Sequence, residues 1–369
     1  MAITTIQPLY KEWYTVNGES LATYGYALDS TTIGTPERKG ANVTSPIVHG
    51  DFFREKRFGQ RIDSFNIWVC DADPETNVIP PTEAGKRAQF NKNLDYVNGI
   101  FNSLTPYGLK NGALEIKRYN IISLGTATYS SNTSTKVTFS CTAHGLSVGD
   151  KVSVSGATPE ILNFESLVVD AVTTDSFTVV KTVGTISTNT AGTAYGTIER
   201  VAYAEVVSSY SIDDPRQFNY AIFSIEVVFP DPRWYDTAST SLTVTKGTNL
   251  SVGASTIGNA PVTDMVITIT AVGGSLVNPY LANSTLADYP SAIGHTGTIL
   301  SGDSVTIDTS AMTVIKTVSG IPGNAISSLY RAGYRQDWME LYPSRTNTLS
   351  LNATSGSGTA SVVFTKAYI

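Results

Sequence analysis

The chain is poor in the residues from which most sites of chemistry are built. It has two cysteines and three histidines in 369 residues. Cys70 and Cys141 lie far apart and form neither a CxxC pair nor a zinc spacing, so they read as two isolated thiols. His49, His144 and His295 fall in three separate segments, none with a second ligand at metal spacing. No G-x-S-x-G stretch offers a nucleophile elbow, and no carboxylate pair stands out as the acid and base of a glycosidase. Charge is scarce as well: 15% of residues are Asp, Glu, Lys or Arg, against roughly 25% in typical soluble domains. With a net charge of −6 and no basic block, stable nucleic-acid binding through phosphate contacts is not expected. No run approaches the roughly 18 apolar residues of a membrane-spanning helix. The opening "MAITTIQPLYKEW" lacks the basic start and apolar core of a signal peptide. These absences lead us to expect a non-enzymatic protein without cofactor or metal, made and folded in the cytoplasm.

Serine and threonine fill the space that charge leaves, which favours β-rich surfaces over helices laced with ion pairs. The distribution is uneven. Residues 1–120 hold 13 basic and 13 acidic side chains, whereas 121–196 hold only 8 charged residues among 76, with 26 Ser or Thr. In the first segment "SFNIWVC" places Phe65, Ile67 and Val69 on one face and Trp68 on the other, which predicts a strand covered on both sides. Residues 83–104 predict the one convincing helix. Phe90, Leu94, Val97, Phe101 and Leu104 form its packing stripe, Thr82 its cap and Pro106 its end. "WYTVNGESL" predicts a turn at Asn17-Gly18.

The middle segment contains "KVTFSC", "DKVSVSG", "SLVVDAV" and "SFTVVKTV", short alternating runs that predict a small all-β unit. "ALEIKRYN" before it and "TIERVAYAEVV" after it look like two arms of one hairpin, with 121–196 inserted at the tip. "AHGLSVGDKVSVSGA" faintly echoes a phosphate loop. Only three residues separate Gly145 from Gly149, however, and Asp150 intervenes before Lys151, so its glycines are assigned to turns. Pro230 and Pro232 end a strand and put a boundary near 236. Beyond it, "DMVITITAV", "SVTIDTS", "TLSLNAT" and "ASVVFTKAY" predict an antiparallel sandwich. The expected organisation is a discontinuous N-terminal domain (1–120 plus 197–236), an inserted β domain (121–196) and a C-terminal sandwich (240–369), in a mainly β fold.

Two clusters carry weaker functional readings. Asp71, Asp73 and Glu75 suggest calcium only loosely, and a solvated turn is the better reading without the rest of a calcium loop. Tyr330, Tyr334 and Trp338, four residues apart and near Arg331, Arg335 and Asp337, offer rings for a sugar and donors for its hydroxyls. The same residues suit packing beneath the sandwich or an oligomer contact.

The order of these parts resembles the distal tail protein family of long-tailed bacteriophages. "FPDPRWYD" is similar to the close of the family's N-terminal domain, "VNPYLAN" to its "NP" strand, and "GTILSGDSVTIDTS" to an apolar strand ending in "ID". Where the family has a P-G-x-N turn, this chain reads Pro343-Ser344-Arg345-Thr346-Asn347, without the glycine. The middle segment resembles a small β module that recurs in phage tail and baseplate proteins. The resemblance implies a galectin- or jelly-roll-like C-terminal sandwich and a structural virion protein at the tail tip. It also implies a homo-hexameric ring that joins the major tail tube protein and the tape-measure protein to a tail-associated hub protein. The rival reading is a carbohydrate-binding adhesin or tail-fibre module whose outer aromatics grip a host surface glycan.

Overall fold

In the computed structural model the described residues are 13–36, 38–39, 43–44, 51–52, 57–102, 113–207, 220–286, 291–332 and 338–369. The chain divides into two compact units, Met1–Asp231 and Pro232–Ile369. Both are mainly β, and their principal sheets are antiparallel throughout.

The first unit begins with β1 (Trp13–Val16), β2 (Glu19–Ser20) and β3 (Tyr26–Thr32). Asn17 and Gly18 join β1 to β2 with φ of +52° and +85°, the left-handed pair that a two-residue hairpin needs. Four two-residue strands follow: β4 (Arg38–Lys39) pairs with β7 (Arg57–Phe58), and β5 (Val43–Thr44) with β6 (Asp51–Phe52). Next come β8 (Arg61–Cys70), helix α1 (Glu83–Asn102), β9 (Leu114–Asn132), β10 (Lys136–Ser140), β11 (Lys151–Ser155), β12 (Phe164–Thr173), β13 (Ser176–Val180), β14 (Gly192–Val206) and β15 (Tyr220–Phe229). One sheet runs in the order β2, β1, β9, β14, β15, β8, β3.

On β8 the alternation is strict. Phe65, Ile67 and Val69 are fully buried beneath α1, and Trp68 on the other face is half-buried. That other face is open where the sequence predicts cover: Ile62 on β8 and Ile222 on β15 are exposed. Thr82 caps α1 by accepting a hydrogen bond from the Gly85 amide at 3.1 Å. The packing stripe differs from the predicted one. Phe90, Val97 and Phe101 are buried, as is Ile100, but Leu94 is only half-buried. Asn93, one residue earlier, takes the central position. Its Nδ2 donates to the carbonyls of Cys70 and Ala72, each at 2.8 Å, where β8 ends and the ladder no longer satisfies them. Gly25 is required there, since a Cβ would sit 2.5 Å from Asn93 Nδ2. Tyr96 fixes the outer side of the helix by donating to Glu19 at 2.7 Å. Leu104 and Pro106 lie outside the described residues.

The core face of β8 ends in a buried ion pair. Arg61 Nε lies 3.0 Å from Asp63 Oδ1, and the guanidinium stacks over Phe229 at 4.4 Å. Burial raises the Asp63 carboxyl and lowers the Arg61 guanidinium, each against the pull of its partner.

β9 and β14 form a ribbon that crosses the composition boundaries near 120 and 197 without a break, from Leu114–Ala204 to Ala127–Gly192. Near their tips the same two strands enter a second sheet. β9 also pairs with β10, β10 with β13, β13 with β12, β12 with β11, and β11 with β14. The result is a closed six-stranded barrel. Phe139, Phe177, Val137, Val154, Val179 and Leu162 fill it, and Phe139 stacks on Phe177 at 5.5 Å. Burying each such side chain stabilises by about 1.5–3 kcal/mol. Where ribbon becomes barrel, Leu124 is an extra residue in β9, a bulge that increases the local twist.

The second unit contains β16 (Trp234–Thr245), β17 (Asn249–Val252), β18 (Met265–Ala271), β19 (Leu276–Val277), β20 (Tyr280–Asn283), β21 (Ser291–His295), β22 (Thr298–Ile299), β23 (Ser304–Asp308), β24 (Thr313–Val318), β25 (Ile321–Asn324), β26 (Leu329–Ala332), β27 (Asn347–Asn352) and β28 (Gly358–Tyr368). One sheet runs β16, β28, β18, β23, β24, β25; the other runs β17, β27, β20, β21, β26. Alternate residues meet between them. Ile267, Ile269, Ile307 and Val362 from the first sheet pack in one core with Leu281, Ile293, Leu349 and Leu351 from the second, the arrangement of a β-sandwich.

Candidate functional site

The residues that first suggest chemistry serve architecture. His144 is buried. Its Nδ1 accepts the Leu146 amide at 3.0 Å, so Nε2 carries the proton and donates to the Ser176 carbonyl at 3.0 Å. Asp150 accepts the Ser147 amide at 2.7 Å, and Gly149 has φ of +98°. The stretch that echoes a phosphate loop is therefore a laced turn leading into β11. His295, 4% exposed, meets Ser328 Oγ through Nδ1 at 2.8 Å, and burial and then Lys316 hold its pKa below the usual range. His49 lies outside the described residues. Cys70 and Cys141 are both buried free thiols pushed up by burial, the condition of inert rather than reactive cysteines. Asp73 accepts from the Glu75 and Thr76 amides and the Thr76 hydroxyl, and these bonds, led by those from Thr76, hold its carboxyl low. Among the described residues, no three His, Cys, Asp or Glu gather as metal ligands.

The described members of the aromatic cluster, Tyr330 and Trp338, have different neighbours. Tyr330 on β26 stands beside Tyr280 at 5.3 Å, across Gly294 of the strand between them. This is how a cross-strand aromatic covers a glycine in a sheet. Arg331 points to the other side of β26, where its guanidinium lies 5.5 Å over Trp338, itself packed against the sandwich core. Tyr334 lies outside the described residues.

The motifs that carry the family resemblance become joints. In "FPDPRWYD", Trp234 is buried, and Arg233 donates to the Pro261 carbonyl at 3.2 Å and Thr263 Oγ at 2.9 Å, and pairs with Asp264 at 3.3 Å. These bonds pin the start of β16 to the loop before β18. In "VNPYLAN", Asn278 takes φ of +48° and accepts the Gly297 amide at 2.8 Å. At the turn that lacks glycine, Ser344 adopts φ of +59°, so the left-handed geometry is kept at a strain that glycine would avoid. Asn347 holds that turn: it accepts the Tyr342 amide at 2.8 Å and donates to the carbonyls of Tyr342 and Arg345.

What remains for function is surface. In the first unit Val78 and Ile79, just before α1, are exposed, as are Ile62 and Ile222 on the open face of the sheet. In the second unit an apolar hairpin, β24–β25, borders an open groove of about 510 Å³. Sequence reasoning missed the sheet surface because Ile62 and Ile222 lie on strands whose large residues on both faces read as covered on both sides.

These features define a class: a two-unit, mainly β protein with, among the described residues, one sheet-bound α-helix, joints where motifs stand, and exposed apolar surfaces. No family model matches the chain, and no curated protein matches it. Solved structures do. The SPP1 Dit (gp 19.1) protein, described as a paradigm of the hub adsorption apparatus in phages infecting Gram-positive bacteria, aligns over 97% of this chain and 100% of its own, with a TM-score of 0.50 and 11% identity. Chains of the phage p2 baseplate in its activated conformation, with strontium and with calcium, align over 95% of this chain and 98% of their own, each with a TM-score of 0.33 and 8% identity. The chain shares its fold with the SPP1 Dit protein over 97% of its length.

Proposed function

We propose that the chain is a structural virion protein of a bacteriophage tail tip. In this reading it forms a hub ring that joins the tail tube to the host-recognition apparatus. The observation that carries the reading is the fold match to a phage hub protein over 97% of this chain and 100% of that one. The function is mechanical, which agrees with histidines, cysteines and aromatics that serve turns and packing. The finer reading is a homo-hexamer, with the major tail tube protein, the tape-measure protein and a tail-associated hub protein as neighbours. Exposed Ile62, Val78, Ile79 and Ile222 supply apolar surface for neighbouring copies. A closed ring follows when one heterologous contact repeats and its rotation closes. A net charge of −6 suits a conduit for DNA, since a basic lumen would retain it by counterion release.

Native mass measurement of the purified chain tests this. The expected species is six times the 39.4 kDa protomer. A trimer points instead to a fibre, and a monomer with measurable affinity for glycans to an adhesin.

A further inference from the structure

One short crossover carries the chain from the edge of one sheet of the sandwich to the edge of the other. β25 is the last strand of the first sheet and β26 the last strand of the second. Between them run Ala325 and a single turn of 3-10 helix, Ile326–Ser328. One side is tied to β24, where the Ala325 amide donates to the Val314 carbonyl at 2.8 Å. The other is tied beside β21, where the Thr296 amide donates to the Ser328 carbonyl at 2.7 Å. The middle is held by His295, the last residue of β21, which stands opposite Leu329 of β26.

The His295 ring is 4% exposed, and its hydrogen bonds fix where its proton sits. The Ser328 hydroxyl donates its one proton to the Ala325 carbonyl at 2.7 Å. Nδ1, 2.8 Å from the same hydroxyl oxygen, is then the donor to it. Nε2 is left as a bare lone pair, facing Gly297, where a Cβ would lie 3.0 Å away. Among the described residues no acceptor meets Nε2 and no carboxylate pairs with the ring. The ionisable groups on the elements around it are engaged elsewhere or carry the wrong sign. Lys316 of β24 donates to the Thr298 carbonyl at 2.8 Å and is the charge whose field reaches the ring. Arg331 of β26 lies over Trp338, and Asp303, beyond β22, accepts the Ser319 amide at 3.0 Å. Tyr280 and Tyr330 stand against each other.

We propose that His295 is a proton-operated latch on this crossover. A solvent proton taken up at Nε2 turns a buried neutral ring into a cation without a counter-charge. Opening relieves that cost. The ring moves into water, its bond to Ser328 breaks, and β25 and β26 loosen with the crossover that joins them. Both strands are paired on one side only, so opening here disrupts less of the ladder than opening within either sheet.

In the closed form burial, and then Lys316, hold the imidazole below its usual value. In the open form the ring titrates near the ordinary value of about 6.5. The neutral ring's contribution to closure is therefore whole above about pH 6.5. It is lost as the pH falls from there through the lowered value, and across that window opening becomes easier by up to about tenfold per pH unit.

Hydrogen exchange of the full-length chain, followed from about pH 7.5 down to about 5.5, tests the latch. The amides of Thr296, Ala325 and Ser328 report on the crossover, and that of Phe139 in the barrel is the reference. Crossover protection factors should hold level to about pH 6.5 and then fall by up to about tenfold per unit, while that of Phe139 stays constant. His295→Gln keeps a polar side chain without a titrating ring and should flatten the response. NMR titration of the His295 ring in the unaltered chain should give a midpoint below about 6.5, and it decides the matter even if His295→Gln does not fold. Crossover protection that is independent of pH overturns the latch, as does a fall that persists unchanged in His295→Gln. A ring midpoint at or above about 6.5 overturns it too, because the closed form would then hold the proton at least as well as the open one.

Discussion

The two ends of the β9–β14 ribbon belong to the same strands yet build different interiors. At its base the ribbon lies in an open sheet. Leu114 and Ile116 face the core, and that core includes an ion pair, Arg61–Asp63, and a buried amide, Asn93. At its tip the ribbon closes into the barrel. There it contributes Ala127 and Ala194 to a core that phenylalanines from the other strands fill. Closure explains much of the difference. A barrel pairs each strand on both sides, so its backbone groups find partners in the ladder itself. An open sheet ends in loose carbonyls, such as those of Cys70 and Ala72, and it needs side chains to hold them and to fix where the helix lies. Small residues suit the tip because six strands enclose little space, and large residues from the opposite wall already occupy it.

The sharpest way to break this contrast is at Asp63. Asp63→Ala removes the carboxylate that lies 3.0 Å from buried Arg61. Breaking a buried pair from one side should lower stability by about 3–5 kcal/mol, read as a lower urea midpoint. Replacing both residues, Arg61→Met with Asp63→Leu, should recover most of that loss. If Asp63→Ala costs less than about 1 kcal/mol, the pair behaves like a surface ion pair and the open sheet does not depend on it.

Asn93→Ala tests the same contrast at a smaller scale. It leaves two strand-end carbonyls without their side-chain donor and should cost about 1–3 kcal/mol. Hydrogen exchange at α1 should rise with it. An unchanged unfolding midpoint would assign the docking of α1 to its apolar stripe alone.

The smallest effect on the base should come from the largest excision. Thr197 pairs with Ile121, so replacing 122–196 with Asn-Gly closes the ribbon through a two-residue turn. If barrel and sheet have independent cores, the remaining sheet should keep its stability to within about 0.5 kcal/mol, as distant independent sites do. A shortened protein that fails to fold would make the barrel integral to the N-terminal domain and end the comparison.

Much of the strand pattern was legible in the residues themselves. Phe65, Ile67 and Val69 alternate because one side of β8 faces a core, and that periodicity is local. The Asn17-Gly18 turn and the Thr82 cap were legible for the same reason: both depend on chemistry within a few residues. The helix stripe was misphased by one position at its centre. Leu94 fits the apolar period, whereas the residue that faces the strand end is polar, and only the carbonyls of Cys70 and Ala72 explain why. Tyr330 and Trp338 looked like one cluster because they are close in sequence, but alternation along β26 puts Tyr330 on one face and Arg331, which lies over Trp338, on the other.

The sequence by itself determined the short alternating strands, the one helix, the fall in charge at 121–196 and the positions of the tight turns, because all of these follow from neighbours along the chain. Only the tertiary structure decided that β9 and β14 pair continuously through that boundary, that six strands close into a barrel, and that Ser344 keeps a glycine's conformation. It also decided which apolar residues stay outside. Ile267 and Ile321 are the same residue type on strands of the same sheet. One lies at the centre of the sandwich and the other on a hairpin at its edge, and position relative to the second sheet separates a buried residue from an exposed one.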